Sequence, residues 1–200
     1  MNTFDKTESR KPTGTTRLFC TTLLVTAIIG GACSKEDESV PESAPETSGF
    51  VLTSPEIGAD SLMPAEFTCD GASASLPLAW SGSPSGTKCF ALIMHHEASP
   101  TDIHWYWVLY NIPVTVKSLE KNATGTGTAG NNSVNGKTEY TPPCSKGPGL
   151  KKYTLTLYAL SATVSPAVPD SLVSREVLLE AIKNITLSSA SLTVLYSRDI

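Results

Sequence analysis

The sequence lacks an excess of either charge where a folded domain is expected. Over residues 50–200, ten lysines and arginines stand against twelve aspartates and glutamates. There is therefore no basic stripe to track a phosphate backbone, and nucleic acid is set aside as a partner. Also missing are the G-x-S-x-G elbow that exposes a hydrolase serine, the G-x-x-x-x-G-K-[ST] loop that cradles a nucleotide phosphate, and the dinucleotide-binding glycine fingerprint. Histidine is scarce: His95, His96 and His104 are the only three and share one short stretch. A nucleophilic triad would need partners that only tertiary geometry could bring. No cofactor is implied. Long apolar runs are absent too, since the charge-free stretch LFCTTLLVTAIIGGA at 18–32 falls short of the roughly 20 residues needed to span a bilayer.

What that stretch does resemble is an export signal. Lys6, Arg10, Lys11 and Arg17 precede it against only Asp5 and Glu8, and it ends in Gly30, Gly31 and Ala32 before Cys33. Small residues followed by cysteine suit a bacterial lipobox, in which Cys33 is acylated and becomes the new amino terminus, although Gly30 stands where leucine is preferred. Ordinary cleavage nearby, with Cys33 a plain thiol, is the alternative. Residues 1–32 are thus read as a lipoprotein signal peptide. Residues 33–49, with five acidic groups, one lysine and no aromatic, are read as a flexible tether that buries too little apolar surface to fold. An acylated Cys33 would anchor the chain in the bacterial cell envelope, at the outer membrane on its periplasmic or surface face. The acidic run after it resembles a surface-export signal as well as a plain solvated linker.

Residues 50–200 suffice for one domain with a single core. Strand signals dominate: FVLTS, LPLAW, CFALIM, HWYWVLYNI, YTLTLYAL and ASLTVLYS are β-branched and aromatic and are parted by Gly, Pro, Asn and Ser clusters. Tyr153, Leu155 and Leu157 alternate with Thr154, Thr156 and Tyr158, as when one face of a sheet is buried. A helix is expected at about Ser171 to Lys183, with Ser174 as its cap, lying against the sheet. The segment from Lys121 to Gly147 reads as a long loop of the kind that serves function or moves, and Gly125, Gly127 and Gly130 in it read as sources of flexibility. Export permits a disulfide. Cys69 and Cys144 lie in turn-rich loops and are the favoured pair, with three free thiols as the alternative, whereas Cys89 opens an apolar run and is expected to be a buried thiol.

Three features carry possible chemistry. The histidine cluster, close to Glu97 and Asp102, invites a metal-dependent hydrolase reading, against which consecutive His95 and His96 point to opposite faces of a strand. In the run His104-Trp105-Tyr106-Trp107, alternation puts the tryptophans on one face and the two polar aromatics on the other. Asp70, in TCDG, either orients a pocket residue or simply makes an Asp-Gly turn.

Five segments in fixed order then carry a family resemblance: TCDG (68–71), SLPLAW (75–80), PSGTKCFALIM (84–94), HWYWVLYNIP (104–113) and KGPGLKKYTLTLYAL (146–160). Together they resemble the bacterial, Raf-kinase-inhibitor-like branch of the phosphatidylethanolamine-binding protein family. The resemblance implies a mostly β, antiparallel β-sandwich with one or two short helices and, at one end, a small pocket for anions such as a phosphorylated head group. Carried over through Pro100 and Asn111-Ile112-Pro113, the family's two loop aspartates fall on His96 and Ala98, and the histidine of its His-Trp pair on Tyr106 before Trp107. Its later His-Arg-Tyr becomes Lys151, Lys152 and Tyr153, and a pocket glycine becomes Pro143. The scaffold is retained while the pocket is rewritten. Two carboxylates that would repel phosphate are gone, and Lys151 offers a permanent cation with up to three donors where a histidine would need protonation.

The expected ligand site is therefore His96, Pro100, Tyr106, Pro143, Lys151 and Tyr153, with Asp70 in support. The ligand is small and anionic or phosphorylated, a lipid head group included, and no chemistry is performed on it. A protease-inhibitor or other protein-interaction module is the rival from a different class, and the metal-dependent hydrolase is the third.

Overall fold

The computed structural model describes residues 49–198. The expectations for residues 1–48, namely the signal peptide, the acylated Cys33 and the acidic tether, lie outside it.

Among the described residues, eight strands and one α-helix follow each other along the chain. A three-stranded antiparallel sheet takes β1 (Val51–Thr53), β2 (Leu78–Ser81) and β5 (Ser118–Leu119) in the order β1-β2-β5. A five-stranded antiparallel sheet is ordered β6-β4-β3-β7-β8, from β3 (Cys89–Ser99), β4 (Asp102–Pro113), β6 (Thr128–Ala129), β7 (Lys151–Leu160) and β8 (Thr186–Tyr196). The mostly β, antiparallel fold read from the sequence is what the chain adopts.

Period-2 alternation explains how the large sheet serves two cores. Phe90, Leu92 and Met94 of β3, and Tyr153, Leu155 and Leu157 of β7, face inward and pack with Leu52, Leu78 and Trp80 of the small sheet. Cys89, Ala91 and Ile93 face the other way, onto the short helix α1 (Arg175–Ile182) through Leu178 and Ile182. A fully buried leucine of this kind contributes about 2–3 kcal/mol through burial alone. The helix starts where its cap was expected, with the Ser174 side chain accepting the Val177 N–H. The Cys69–Cys144 disulfide forms, and Cys89 is a buried free thiol.

The β3–β4 pairing is not regular, and its irregularities shape everything at the hairpin end. Met94 pairs with Trp107 but His95 pairs with Trp105, so Tyr106 is an extra residue on β4; Glu97 and Ser99 pair with Ile103 and Asp102, so Ala98 is an extra residue on β3. The expectation that both tryptophans share a face is thereby overturned. The bulge leaves Tyr106 and Trp107 both in the inner core, while Trp105 turns to the outer one, its Nε1–H donating to the Asn131 carbonyl at 3.0 Å. A third irregularity frees Asn111, at φ +54°, to clasp Val164 through its side-chain carbonyl and amide at 2.7 and 2.9 Å.

Most of Lys121–Gly147 is irregular, as read, with only β6 inside it. Its glycines, however, are not all there for flexibility. A Cβ on Gly127 would come within 2.6 Å of the Tyr110 carbonyl oxygen, and one on Gly130 within 2.4 Å of that of Val173, so both positions are fixed by close packing. Gly125 has open space around it.

Candidate functional site

At the hairpin end of the five-stranded sheet a cavity of about 430 Å³ lies between three pieces of chain. The β3–β4 hairpin gives it His96, Ala98, Asp102, His104 and Tyr106; β7 gives Lys151 and Tyr153. The loop before β7 closes it with Ser133, Val134, Pro142, Cys144, Ser145 and Lys146. Alternation decides which hairpin residues arrive. His96 and His104 are a directly opposed pair on the inner face, and Lys151 stands two residues from Tyr153 on that same face.

The cavity is cationic in its unpaired groups. Lys146 and Lys151 both line it, and the one carboxylate among the described lining residues, Asp102, sits 3.1 Å from His104 Nε2. The His96 ring lies 5.3 Å from that of Tyr153, with Nδ1 at 2.8 Å from the Lys152 carbonyl oxygen. A carbonyl only accepts, so Nδ1 carries a proton and donates it to that oxygen. Tyr106 and Tyr153 meet edge to face at 5.3 Å and form the floor. Burial pushes both phenols up, and for Tyr153 the neighbouring Tyr106 adds to the effect, so both are neutral hydroxyls at ordinary pH.

Behind the cavity runs a second set of contacts. Asp70 accepts the Tyr196 hydroxyl and pairs with Arg198 at 2.7 Å, and these two partners, Tyr196 first, hold its carboxyl below the usual range. The Tyr196 ring is 6.3 Å from that of Tyr153. Arg198 also donates to the Ser145 carbonyl at 3.4 Å, and Cys69 is bonded to Cys144. Asp70 therefore makes its turn and orients other residues, but it acts through Tyr196 and Arg198 instead of lining the cavity.

Of the residues expected at the site, His96, Tyr106, Lys151 and Tyr153 line the cavity. Pro100 does not; it stands at the exposed tip of the hairpin, beyond Ala98 and Asp102. Pro143 does not either, because its flanks Pro142 and Cys144 take the wall while its own carbonyl accepts the Cys69 N–H at 3.0 Å. Asp102, Ser145 and Lys146 line the cavity as well. Lys146 was within sight in KGPG, where a lysine before a glycine-rich turn and five residues from Lys151 is a detectable cationic signal.

The metal reading fails on geometry. His95 leaves the other two histidines for the outer face, where its side chain is 13 % exposed and its Nε2 lies 3.4 Å from Glu97. Burial first, then the positive Arg175, holds it below the ordinary histidine range. Among the described residues no group of three His, Cys, Asp or Glu side chains gathers where a metal could be held.

Comparison with known proteins agrees with this architecture. The family model for phosphatidylethanolamine-binding protein matches residues 53–197. A UPF0098 protein of Methanothermobacter thermautotrophicus is 36 % identical over 141 residues, which is 68 % of this chain and 91 % of that protein. The crystal structure of a putative phosphatidylethanolamine-binding protein homolog from Chlamydia trachomatis superposes with a TM-score of 0.69 at 27 % identity, covering 76 % of this chain and all of that one. That of Escherichia coli YbcL gives 0.68, also at 27 % identity, over 75 % of this chain and 99 % of its own.

Proposed function

This chain belongs to the phosphatidylethanolamine-binding protein family, and from that premise we propose that its hairpin-end cavity binds a small anionic or phosphorylated ligand without transforming it. The observation that carries the proposal is the charge balance of the lining: two lysines, Lys146 and Lys151, beside a single carboxylate that is already engaged by His104. A phosphate oxygen entering there meets ammonium donors and the hydroxyls of Tyr106 and Tyr153, and charge-assisted hydrogen bonds are the stronger kind. The cavity volume falls within the ~300–1,000 Å³ range of small-ligand pockets. As a corollary drawn from the sequence alone, the domain is presented at a bacterial membrane by an acylated Cys33.

Thermal unfolding of the full chain with inorganic phosphate and with phosphoethanolamine tests the reading, because a ligand that binds only the folded state raises the midpoint. Lys151→Ala is expected to weaken binding about tenfold or more, the worth of one hydrogen bond from a charged donor. Lys152→Ala, one position along and on the opposite face of β7, should leave it unchanged. No protection by either probe at millimolar concentration, or equal losses in the two variants, would remove the proposal.

A further inference from the structure

The five-stranded sheet ends at β6 and β4 on one side and at β8 on the other, and the chain covers these two edges unequally. On the first side, loop backbone meets β4: the carbonyls of Trp105, Tyr106 and Val108 accept the N–H groups of Ser133, Thr141 and Gly130, each at 2.9 Å. β8 is covered over its C-terminal part only. There the Asp60 N–H reaches the Thr193 carbonyl at 2.8 Å, and Leu195 bonds to Ser61 and Met63 at 2.9 and 2.7 Å.

Those contacts fix which way the rest of β8 faces. Thr193 and Leu195 turn backbone groups away from β7, and alternation along an antiparallel strand turns those of Ser191 and Ser189 the same way. Both serines are exposed, and among the described residues no backbone group meets theirs on that side. Two N–H and two C=O groups therefore stand in a row along an open edge. The Ser191 side chain does not cover them, because its Oγ lies 3.1 Å from Thr156 Oγ1 on the face of the sheet.

Native proteins defend such edges with a charge, a proline or a very short strand. β8 is 11 residues long, and from Thr186 to Tyr196 it holds no charged residue, proline or glycine. Exposed leucines mark both limits of the open stretch. Leu187, 43 % exposed, stands at its start, and Leu62, 65 % exposed and bridged to Leu195, stands beyond its end.

We propose that β8 pairs antiparallel with β8 of a second copy of this chain, about a two-fold axis near Ala190. Antiparallel pairing of identical edges sets N–H against C=O on both sides, and it opposes no like charges because β8 carries none. Reversed direction also carries the start of one strand toward the end of the other, so Leu187 approaches Leu62 of the partner subunit, and the reverse. An unrelated strand would find the four polar groups but would not bring this matched pair of leucines. The Asp60–Met63 segment holds the place beside Thr193, so the ladder is short and the contact belongs with the smaller, weaker interfaces. Pairing consumes both open edges, and assembly stops at two.

The test is sedimentation velocity of the full chain across the micromolar range, joined to amide hydrogen exchange at low and high protein concentration. A monomer–dimer equilibrium is expected, and the Ser189 and Ser191 amides, unpartnered in the single chain, should exchange more slowly as the dimer fills. Ser191→Lys faces like charges across the axis and should weaken dimerisation about tenfold or more. Ser189→Pro removes an N–H that the β7 ladder does not use, and should abolish pairing while the thermal midpoint of the dilute protein is kept. Should that variant fail to fold, Ser191→Lys decides alone. Lys151→Ala should dimerise as the parent does, so that this proposal and the phosphate reading stand or fall separately. A chain that stays monomeric throughout would overturn the proposal. So would association that survives Ser191→Lys, oligomers larger than two, or Ser189 and Ser191 exchange that ignores protein concentration.

Discussion

Removing the Cys69–Cys144 bridge should cost this domain a large part of its stability and loosen the hairpin-end cavity with it. The two cysteines are 75 residues apart in sequence, and closing a loop of that length removes about 15 cal/mol/K of entropy from the unfolded chain, or about 4.5 kcal/mol at 25 °C. For a domain of this size that corresponds to a fall of about 10 °C or more in the thermal midpoint. The Cys69→Ala/Cys144→Ala double variant avoids the free thiols that a single change would leave. Urea unfolding followed by circular dichroism measures the difference. Extrapolated free energies must be compared, not midpoints alone, because the uncrosslinked unfolded chain is more expanded and the denaturant slope should rise. Some local order will persist, since Cys69 N–H still reaches the Pro143 carbonyl and Arg198 still holds Ser145. Cys144 and Ser145 are themselves cavity wall, so protection by phosphate should also weaken. A loss below about 2 kcal/mol, the low end for removing a native bridge, with an unchanged slope, would refute the entropic reasoning.

Two further outcomes follow from individual residues. His95 is held below its ordinary value of 6.5 by burial and by Arg175, with Glu97 opposing. The unfolded chain therefore takes up a proton first as pH falls, so His95 contributes stability that is complete above about pH 6.5 and is lost on acidification below it. His95→Gln should flatten the dependence of the thermal midpoint between about pH 7 and 5, and a variant that keeps the parental slope would contradict the burial argument. If Cys33 is acylated, Cys33→Ser expressed in a bacterial host should move the chain from the membrane fraction to the soluble one; retention of the serine variant in the membrane would end the anchoring proposal.

Much of the fold was legible because local signals and tertiary packing agree. Tyr153, Leu155 and Leu157 alternate in sequence and do line the inner core; Ser174 reads as a cap and is one; Cys69 and Cys144 sit in turns and meet. The site was legible where a residue stands on a regular strand, as with Lys151 and Tyr153. It was not where register slips. Nothing in His104-Trp105-Tyr106-Trp107 announces that Tyr106 is unpaired with β3, so the faces of its neighbours were misassigned by strict alternation. Pro100 and Pro143 were placed by resemblance, but a hairpin tip and a loop can shift by a residue without disturbing the strands that carry the resemblance. Asp70 and Tyr196 are 126 residues apart, and a contact of that range leaves no trace in either local sequence.

The two unpaired positions of the hairpin have one more consequence. Tyr106 and Ala98 both look into the cavity, and the residues flanking each of them already oppose partners on the same face of the sheet. Loss of a single codon inside a paired strand ordinarily inverts everything beyond it; at these two places the phase is preserved, with Met94 against Trp107 and His95 against Trp105 whether or not Tyr106 stands between them. Descendants of this gene can therefore widen or narrow the chamber by one whole residue while every neighbouring rung of the ladder keeps its mate.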